Sequence, residues 1–374
     1  IRFYHVITSG SLNWLRCVSE PVEPEPARTG GGKAWILQSL TPSGDMEIYM
    51  RNLSLFAGLF IASAAVADTP VLTVYTYDSF ISDWGPGPAI EAAFEAECSC
   101  DLEMVGAGDG AALLARLKLE GARSKADIVL GLDTNLIAAA KDTELFEPVS
   151  IKANYAVPGG WKDNLFTPFD WGYFAFVQNS GVATVSNFRA LADSDLKIVI
   201  QDPRSSTPGL GLLMWVKAAY GSEAINIWSD LADNIITVTA GWSEAYGMFL
   251  EGEADMVLSY TTSPAYHIIA EEDNSKSYAE FDEGHYMQIE VAAKLKSTDQ
   301  DALADKFLQF MVSDTFQEII PTTNWMFPAV TPASGLPDGF PNALSEEKSL
   351  IFSPVEAARL RKGALLEWQA GLLQ

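Results

Sequence analysis

Short apolar stretches of two kinds alternate along the chain from Asp68 onward. Runs rich in β-branched and aromatic residues, such as Val71 to Tyr77, are typical of buried strands. Runs with apolar residues three or four positions apart, such as Ala89 to Ala96 with Ile90 and Phe94, are typical of helices. Because strand and helix alternate in short units, the pattern predicts α/β layers with mainly parallel sheets.

The same pattern continues to the end of the chain and divides it into two halves. Further strands are predicted at 102–105, 126–132, 169–177, 196–201, 235–239, 254–260 and 286–293. Further helices are predicted at 111–117, 135–141, 223–232 and 356–373, and also after Pro208 and from Gly241. Two α/β halves joined by long extended segments predict two hinged lobes with a cleft between them. We expect the first lobe to contain 68–168 and about 286–325, and the second 169–285 and about 326–374.

One stretch, Asp202 to Gly211, has the features of a helix N-terminus that faces a ligand. Ser206 and Thr207 precede Pro208, which suits a first helical turn, and an apolar segment follows. Such a helix end offers unpaired N–H groups and favours a carboxylate or phosphate. An ordinary capped helix would show the same residues. Loops of similar character, 77–78 and 260–263, follow other predicted strands, and ligands of open α/β sheets bind at such ends.

The first 67 residues differ in composition from the rest. Residues 1–49 combine alternating prolines and acids with a triple glycine and show no helix or strand period, so we interpret them as upstream sequence that is not native to the protein. Met50 to Asn52 form a short positive segment, an apolar run follows, and Ala65-Val66-Ala67 matches a cleavage site. We therefore predict a signal peptide at 50–67 and export of the remainder.

Charge and cysteine content exclude several classes of function. The formal net charge of −25 argues against binding to nucleic acid or to an anionic membrane surface. No apolar run after residue 67 is long enough to cross a bilayer, so we expect the mature chain not to span a membrane. Cys98 and Cys100 have no nearby histidine, so they do not form a zinc site, and the sequence leaves open whether they are bridged.

The chain carries little that would support catalysis. After residue 67 the only histidines are His267 and His285, and neither lies in a recognisable catalytic motif. A nucleophile elbow, a phosphate-binding loop, a dinucleotide fingerprint and a metal-spaced cluster are all absent from the sequence. We expect both histidines to be structural and the protein not to be an enzyme, with no metal and no cofactor.

Aromatic residues at loop positions point instead to a binding protein. They occur beside polar, turn-like sequence, where a hydrophobic core would not need so many rings: Tyr75, Tyr77, Trp84, Trp161, Trp171, Trp242, Tyr246, Tyr260, Tyr266 and Trp325. The faces of tryptophan and tyrosine rings attract organic cations. Although any single ring is accounted for by core packing, the group near Asp78 and Asp109 favours a cage for a cation.

Several of these segments resemble a known family. The strings 71–80, 83–88, 124–127, 201–204, 206–211, 241–247 and 258–267 are similar to those of the periplasmic thiamine-binding proteins of bacterial ABC importers. The similarity extends from about Val71 to Trp325. These proteins belong to the two-lobed extracellular solute-binding proteins, whose ferric-ion members use adjacent tyrosines. In this chain Thr261 follows Tyr260, which argues against iron.

The resemblance implies a fold, a ligand and a set of site residues. The fold would be the type II periplasmic solute-binding fold, and the ligand thiamine or its mono- or diphosphate. The partners would be an inner-membrane ABC permease and its ATPase, and the location the periplasm. The residues that match the ligand contacts of the family are Asp109, Gly110, Ser206, Thr207, Trp242, Tyr260, Thr261, Thr262 and Ser263, and Tyr77, Tyr266 and Trp325 match flanking aromatic positions.

Two other classes of function stay open at this point. The first is a protein of the same fold that binds another cation, such as a polyamine or ferric iron. The second is an exported enzyme that degrades thiamine or cleaves phosphate esters. The thiamine-degrading form would need a nucleophilic cysteine in the cleft. For the leading hypothesis we expect alanine at Trp242 or Tyr260 to weaken thiamine binding with little loss of stability.

Overall fold

The structure is a computed structural model that describes residues 69–373. The predicted signal peptide at 50–67 and the segment 1–49 lie outside the described residues. The strands are β1 (Val71–Thr76), β2 (Asp101–Gly106), β3 (Ile128–Asp133), β4 (Thr167–Asn179), β5 (Ile198–Gln201), β6 (Ile235–Thr239), β7 (Met256–Tyr260), β8 (Lys276–Tyr278), β9 (His285–Lys294), β10 (Phe327–Pro328) and β11 (Ser349–Leu350).

The helices fill the intervals between the strands, as the alternating pattern predicts. They are α1 (Gly87–Cys98), α2 (Gly110–Glu120), α3 (Ile137–Lys141), α4 (Phe188–Ala192), α5 (Thr207–Tyr220), α6 (Ala224–Leu231), α7 (Trp242–Leu250), α8 (Pro264–Ala270), α9 (Asp301–Phe310), α10 (Asp314–Thr323) and α11 (Pro354–Leu372). Every strand predicted from the sequence is present, with bounds that differ by a few residues. Four helices were not among those predicted, namely α4, α8, α9 and α10.

The strands follow the order β2-β1-β3-β9-β4-β7-β5-β6. β1 pairs in parallel with β2 and β3 at one end, and β5 pairs in parallel with β6 and β7 at the other. Between these parallel groups lie β9 and β4, which are antiparallel to each other and to their outer neighbours. Each parallel group therefore forms the sheet of one lobe, and the chain passes between the lobes through β4 and β9.

β4 and β9 are buried along almost their whole length and change partners midway. The first half of β4 pairs with β9, and its second half, from Phe174, pairs with β7. β9 pairs with β4 from Met287 and with β3 up to Lys294. Two continuous extended strands thus connect the lobes, which is the arrangement expected of a hinge. Both strands belong to the sheets of both lobes, so the structure gives no single residue on them at which one lobe ends. The lobe boundaries expected from the sequence therefore stay a prediction.

One apolar cluster is shared by the two lobes, and each lobe has a further cluster on the other face of its sheet. In the first lobe, α1, α9 and α10 pack through Phe94, Phe307 and Phe316 on one face of the sheet. In the second lobe, α7 covers one face, and α5 and α6 cover the other. The C-terminal helix α11 contacts α5 and α6 of the second lobe and also α3 of the first.

α5 is the helix predicted after Asp202, and its sequence explains its position. Pro208 lies in the first turn, where the missing N–H costs no helical hydrogen bond. The residues from Thr207 to Val216 are buried, so this helix crosses the centre of the second lobe. A Cβ atom at Gly211 would lie 2.0 Å from Cε2 of Phe174 on β4, so only glycine permits this approach of helix to strand.

Two further findings concern the sequence expectations. Cys98 and Cys100, at the end of α1, form a disulfide, which answers the question that the sequence left open. Over residues 69–373, no helix combines the length and the apolar character needed to cross a lipid bilayer.

Candidate ligand-binding site

A cavity of about 320 Å³ lies at the junction of the two lobes. Its volume lies at the lower end of the range for small-molecule sites, about 300–1,000 Å³. It is bounded by the end of β1, the first turns of α2, α5 and α7, the end of β7, the start of α8, the middle of β9 and the residues that follow α10. Strand ends and helix N-termini from both lobes therefore converge on it.

The structure brings most of the sequence-predicted site residues to this cavity. Those that line it are Tyr77, Asp109, Thr207, Trp242, Tyr260, Ser263, Tyr266 and Trp325. The other four lie behind its wall. Ser206 and Gly110 take part in a contact between the lobes, Thr261 donates its N–H to the Tyr173 carbonyl, and the buried Thr262 hydroxyl lies against the Met326 sulfur.

Aromatic rings form one wall of the cavity. Trp242 stacks on Tyr246 with ring centroids 4.8 Å apart, and Trp84 lies 5.9 Å from Trp242 on its other side. On a second side, the Tyr266 and Trp325 centroids are 5.4 Å apart. All five residues line the same cavity, and aromatic ring faces attract organic cations.

Hydrogen bonds fix several of these rings. The Trp242 Nε1–H donates to Ser259 Oγ at 2.8 Å, and Ser259 Oγ in turn lies 2.7 Å from Ser263 Oγ. Trp325 has φ of 57°, a left-handed backbone conformation that is unusual for a bulky residue and that occurs most often at functional sites. The orientation of the wall is therefore set before any ligand enters.

Tyr260 lies deeper than the sequence suggested. Its ring centroid is 5.1 Å from that of Phe174, and it packs against the apolar layers of both lobes. Removal of this ring would leave a cavity among buried side chains. We therefore correct the expectation that alanine at Tyr260 costs little stability; the expectation for Trp242, which lies at the surface of the cavity, is unchanged.

Asp109 connects the two lobes at the cavity edge. It is the N-cap of α2, where its carboxylate accepts the Gly110 N–H at 2.8 Å, and it also accepts the Ser206 hydroxyl at 2.8 Å. The Gly110 N–H also lies 3.2 Å from Thr207 Oγ1. Burial raises the pKa of Asp109, and the hydrogen bonds from Ser206 and Gly110 partly offset that rise. The N-termini of α2 and α5 thus meet around one carboxylate, and the Ser206 hydroxyl is already engaged there.

A second acidic group forms the floor of the cavity. Glu290 on β9 lines the cavity, and Asp170 lies next to it on β4 as its cross-strand partner. The Tyr77 hydroxyl donates to Glu290 Oε2 at 3.1 Å, and Asn324 Nδ2 donates to Asp170 Oδ2 at 2.6 Å. Burial raises the pKa of Asp170 to about 7, and hydrogen bonds from Asn324 and Glu290 partly offset that rise. Burial, and after it the charge of Asp170, raises the pKa of Glu290 well above its ordinary value.

The sequence reasoning did not include these floor residues in the site. Glu290 and Asp170 are single charged residues within the apolar strings Ile289-Glu290-Val291 and Phe169-Asp170-Trp171. A charge in the middle of a buried strand is an informative signal, because such residues are seldom fully buried without a role. Asn324 carries no such signal, since it follows a helix whose existence was not predicted.

Both histidines of the described residues are held by hydrogen bonds of their two ring nitrogens with neighbouring protein groups. His285 Nδ1 lies 2.8 Å from the Phe174 carbonyl, its Nε2 accepts the Phe281 N–H, and burial lowers its pKa to about 4. His267 contacts Tyr246 through Nε2 and Glu271 through Nδ1.

The spacing of one group would suit a metal ion. Ligand atoms of His267, Glu271 and Asp273 lie within 4.8 Å of one another. The Asp273 carboxylate, however, already accepts hydrogen bonds from Ser275 and Lys276. We therefore interpret the group as a hydrogen-bonded turn.

The fold and the interlobe cavity define a class of protein, and sequence comparison agrees. A family profile described as "Bacterial extracellular solute-binding protein" matches residues 85–322. The chain belongs to this family. The type II solute-binding fold expected from the sequence is thereby confirmed, with two α/β lobes and a hinge of extended strands.

Particular relatives share one name. The "Thiamine-binding periplasmic protein" of Escherichia coli (strain K12) is 52% identical over 316 residues, which cover 83% of this chain and 96% of that protein. A protein of the same name from Haemophilus influenzae is 39% identical and covers 75% of this chain and 86% of its own length. The sequence resemblance to this group is confirmed.

Solved structures agree. A "Periplasmic thiamin binding protein" aligns with a TM-score of 0.78 and 51% identity, covering 81% of this chain and 96% of the other. Iron-bound HitA from Pseudomonas aeruginosa aligns with a TM-score of 0.67 at 18% identity, which supports the fold alone.

Proposed function

We propose that this protein is the substrate-binding receptor of an ABC importer, and that it captures thiamine and its mono- and diphosphate in the periplasm. It would deliver them to an inner-membrane permease with its associated ATPase. The observation that carries the proposal is the chemistry of the interlobe cavity, whose lining among the described residues consists of aromatic rings, acids and neutral groups with no lysine, arginine or histidine. The names of relatives more than 50% identical support the same ligand.

Each part of thiamine has a suitable partner in the cavity. The thiazolium ring carries a fixed positive charge, which suits the faces of Trp242 and Tyr260 and the acidic floor at Glu290. The aminopyrimidine has donors and acceptors for Asp109. A hydroxyethyl or phosphate tail would lie at the start of α5, where Thr207 lines the cavity and backbone N–H groups favour an anion.

Calorimetric titration tests this assignment directly. We expect submicromolar binding of thiamine, and binding of its two phosphate esters, whereas putrescine and ferric citrate should bind far more weakly or not at all. A polyamine lacks aromatic rings that could stack in the cavity, and Thr261 stands where a second adjacent tyrosine would serve iron. Failure to detect submicromolar thiamine binding would contradict the proposal.

Lobe closure gives a second prediction, at Gly110. A Cβ atom there would lie 2.3 Å from Thr207 Oγ1 and 2.9 Å from the Gly131 carbonyl oxygen, so the helix N-termini could not approach as they do. We expect Gly110→Ala to weaken thiamine binding by about tenfold or more, since each 1.4 kcal/mol lost from the closed form is a factor of ten. Titration of the variant measures this.

The matched control for Gly110→Ala is Gly363→Ala. Gly363 is in α11, and a Cβ atom there meets no other atom within 4 Å. This variant should bind as wild type. Addition of Thr207→Ala to the Gly110→Ala variant removes the nearest clashing atom, so it should restore part of the affinity. Wild-type binding by Gly110→Ala alone would show that the contact between α2 and α5 does not control closure.

An enzymatic role has less support. A thiamine-degrading enzyme would need a nucleophilic cysteine in the cavity, and Cys98 and Cys100 are joined in a disulfide at the end of α1. Incubation with thiamine diphosphate, followed by chromatography, would detect a product if the protein cleaved either the ring system or the ester. Product formation would favour the enzyme.

A further inference from the structure

Two carboxyl groups lie side by side in the floor of the cavity, on the two strands that connect the lobes. Asp170 of β4 and Glu290 of β9 are directly opposite in the antiparallel register. Asp170 is fully buried and Glu290 is 5% exposed, with its exposed part towards the cavity. Like charges directly opposite on neighbouring strands destabilise a sheet, so this pair requires an explanation.

The hydrogen bonds around the pair are consistent with a shared proton. Asn324 donates to Asp170 Oδ2, and Tyr77 donates to Glu290 Oε2. Asp170 Oδ1 has no donor among the described residues if both carboxyls are ionised. The Asp170 and Glu290 carboxyl groups are within hydrogen-bonding contact of each other, and a hydrogen bond between two carboxyl groups requires a proton on one of them.

Among the described residues, the groups that act most strongly on the pair carry no positive charge, and Arg361 of α11 acts on Asp133. The polar and titratable groups that face it are Tyr77 at the end of β1, Asp133 on β3, Tyr260 on β7, Gln288 on β9, Asp109 at the start of α2 and Asn324 after α10. All of these are acidic or neutral. The Asp133 carboxylate is bonded to Asn135 and does not line the cavity.

Two buried carboxyls in this arrangement cannot both ionise near neutral pH. Burial raises the pKa of Asp170 to about 7, and burial together with the charge of Asp170 raises the pKa of Glu290 well above its ordinary value. The two groups titrate as a pair, and the first proton that the pair binds is shared between them. The raised pKa values of both groups therefore favour a proton on the pair near neutral pH.

We propose that Glu290, backed by Asp170, is the counter-charge for the cation of the ligand, and that binding of this cation expels the shared proton to the solvent. Before binding, one proton neutralises part of the pair; after binding, the fixed positive charge of the ligand takes its place. The inference rests on the proposed function for the identity of the ligand. It adds that capture is an exchange of a cation for a proton.

Proton release on binding is the direct test. Thiamine, which has no phosphate to titrate, is added to the full-length exported chain in weakly buffered solution at pH 7.5 with a pH indicator. We expect release of about one proton per thiamine bound, and an affinity that rises by up to about tenfold per pH unit between pH 6 and 8. The sign follows because the bound cation favours the ionised pair, so removing protons favours binding.

Three controls locate the proton. Glu290→Gln should abolish the release and flatten the pH dependence, even if the weaker binding requires saturating thiamine. Asp133→Asn, which changes another buried carboxyl on the neighbouring strand, should retain the release. An analogue in which an uncharged ring replaces the thiazolium should bind without releasing a proton.

The outcomes separate this inference from the proposed function. Thiamine binding without proton release, or with release that persists in Glu290→Gln, overturns the exchange and leaves the receptor function intact. If thiamine does not bind, the receptor function itself fails and the exchange fails with it. Infrared spectra of the unliganded protein give an independent check, because wild type should show a protonated carboxyl band that Glu290→Gln lacks; absence of that band also overturns the inference.

Discussion

Trp242→Ala should weaken thiamine binding by about tenfold or more while leaving the fold intact. The Trp242 ring is stacked on Tyr246 and faces the cavity, where a cation would lie against it with little water between. A desolvated cation–π contact contributes about 2 kcal/mol, and each 1.4 kcal/mol is a factor of ten in affinity. The residue is the first of α7 and lies at the edge of the second lobe's apolar layer, so its loss creates no closed cavity. Calorimetric titration and thermal unfolding together measure both effects.

Two substitutions serve as controls for this result. Trp242→Phe keeps an aromatic face but loses the hydrogen bond to Ser259, so its loss of affinity should be smaller than that of alanine. Trp161→Phe changes a tryptophan that does not line the cavity and whose Nε1–H donates to the Phe166 carbonyl. It should bind thiamine as wild type. An alanine variant of Trp242 with unchanged affinity would mean that the aromatic wall does not hold the cation.

Much of the fold could be predicted from local patterns. The β-rich run at Val71 and the proline-started helix after Asp202 both formed as expected, because burial periodicity and turn chemistry are encoded within a few residues. Helix α10 was missed, and its sequence gives a reason: Pro321 lies inside it, and two threonines follow at its end. Its stability comes from packing against α1, which the sequence of the helix does not display.

The site shows where sequence reasoning ends. Tyr77, Trp242 and Trp325 were found because aromatic rings in polar, turn-like sequence stand out, and the family resemblance added the rest. The contact between Asp109 and Ser206 joins residues 97 positions apart, so no local pattern contains it.

The pairing of Asp170 with Glu290 is also non-local. It depends on the register of two antiparallel strands, one of which has a bulge between Pro168 and Asp170. A one-residue difference in register would turn either side chain to the opposite face of the sheet. The charged positions were therefore visible in the sequence, and their juxtaposition was not.

Ionisation of Asp170 and Glu290 should destabilise the unliganded protein at high pH. The pKa of Asp170 rises from an ordinary 3.8 to about 7 on folding, and that of Glu290 rises as well. At this pair the folded protein therefore binds more protons than the unfolded chain between about pH 4 and pH 7, so the contribution of the pair to stability is fully present below this range and is lost as the pH rises through it. Each pKa unit corresponds to about 1.4 kcal/mol, so the loss amounts to a few kcal/mol by pH 8.

Glu290→Gln should remove the part of this loss that Glu290 contributes, because glutamine does not ionise and its amide can donate to Asp170 in the way that the protonated acid does. We expect the variant without ligand to melt about 5–10 °C above wild type at pH 8, at about 2–4 °C per kcal/mol, and close to wild type at about pH 4, where Glu290 is protonated in the folded protein and largely protonated in the unfolded chain. Thermal unfolding at the two pH values measures this, with the exposed Glu318→Gln as a control that should show no such dependence. Equal or lower stability of Glu290→Gln at pH 8 would mean that the ionised pair does not destabilise the unliganded protein. A gain in stability together with a loss of thiamine affinity would show that the Asp170–Glu290 pair lacks a compensating positive charge in the unliganded protein, and that the bound ligand provides this charge.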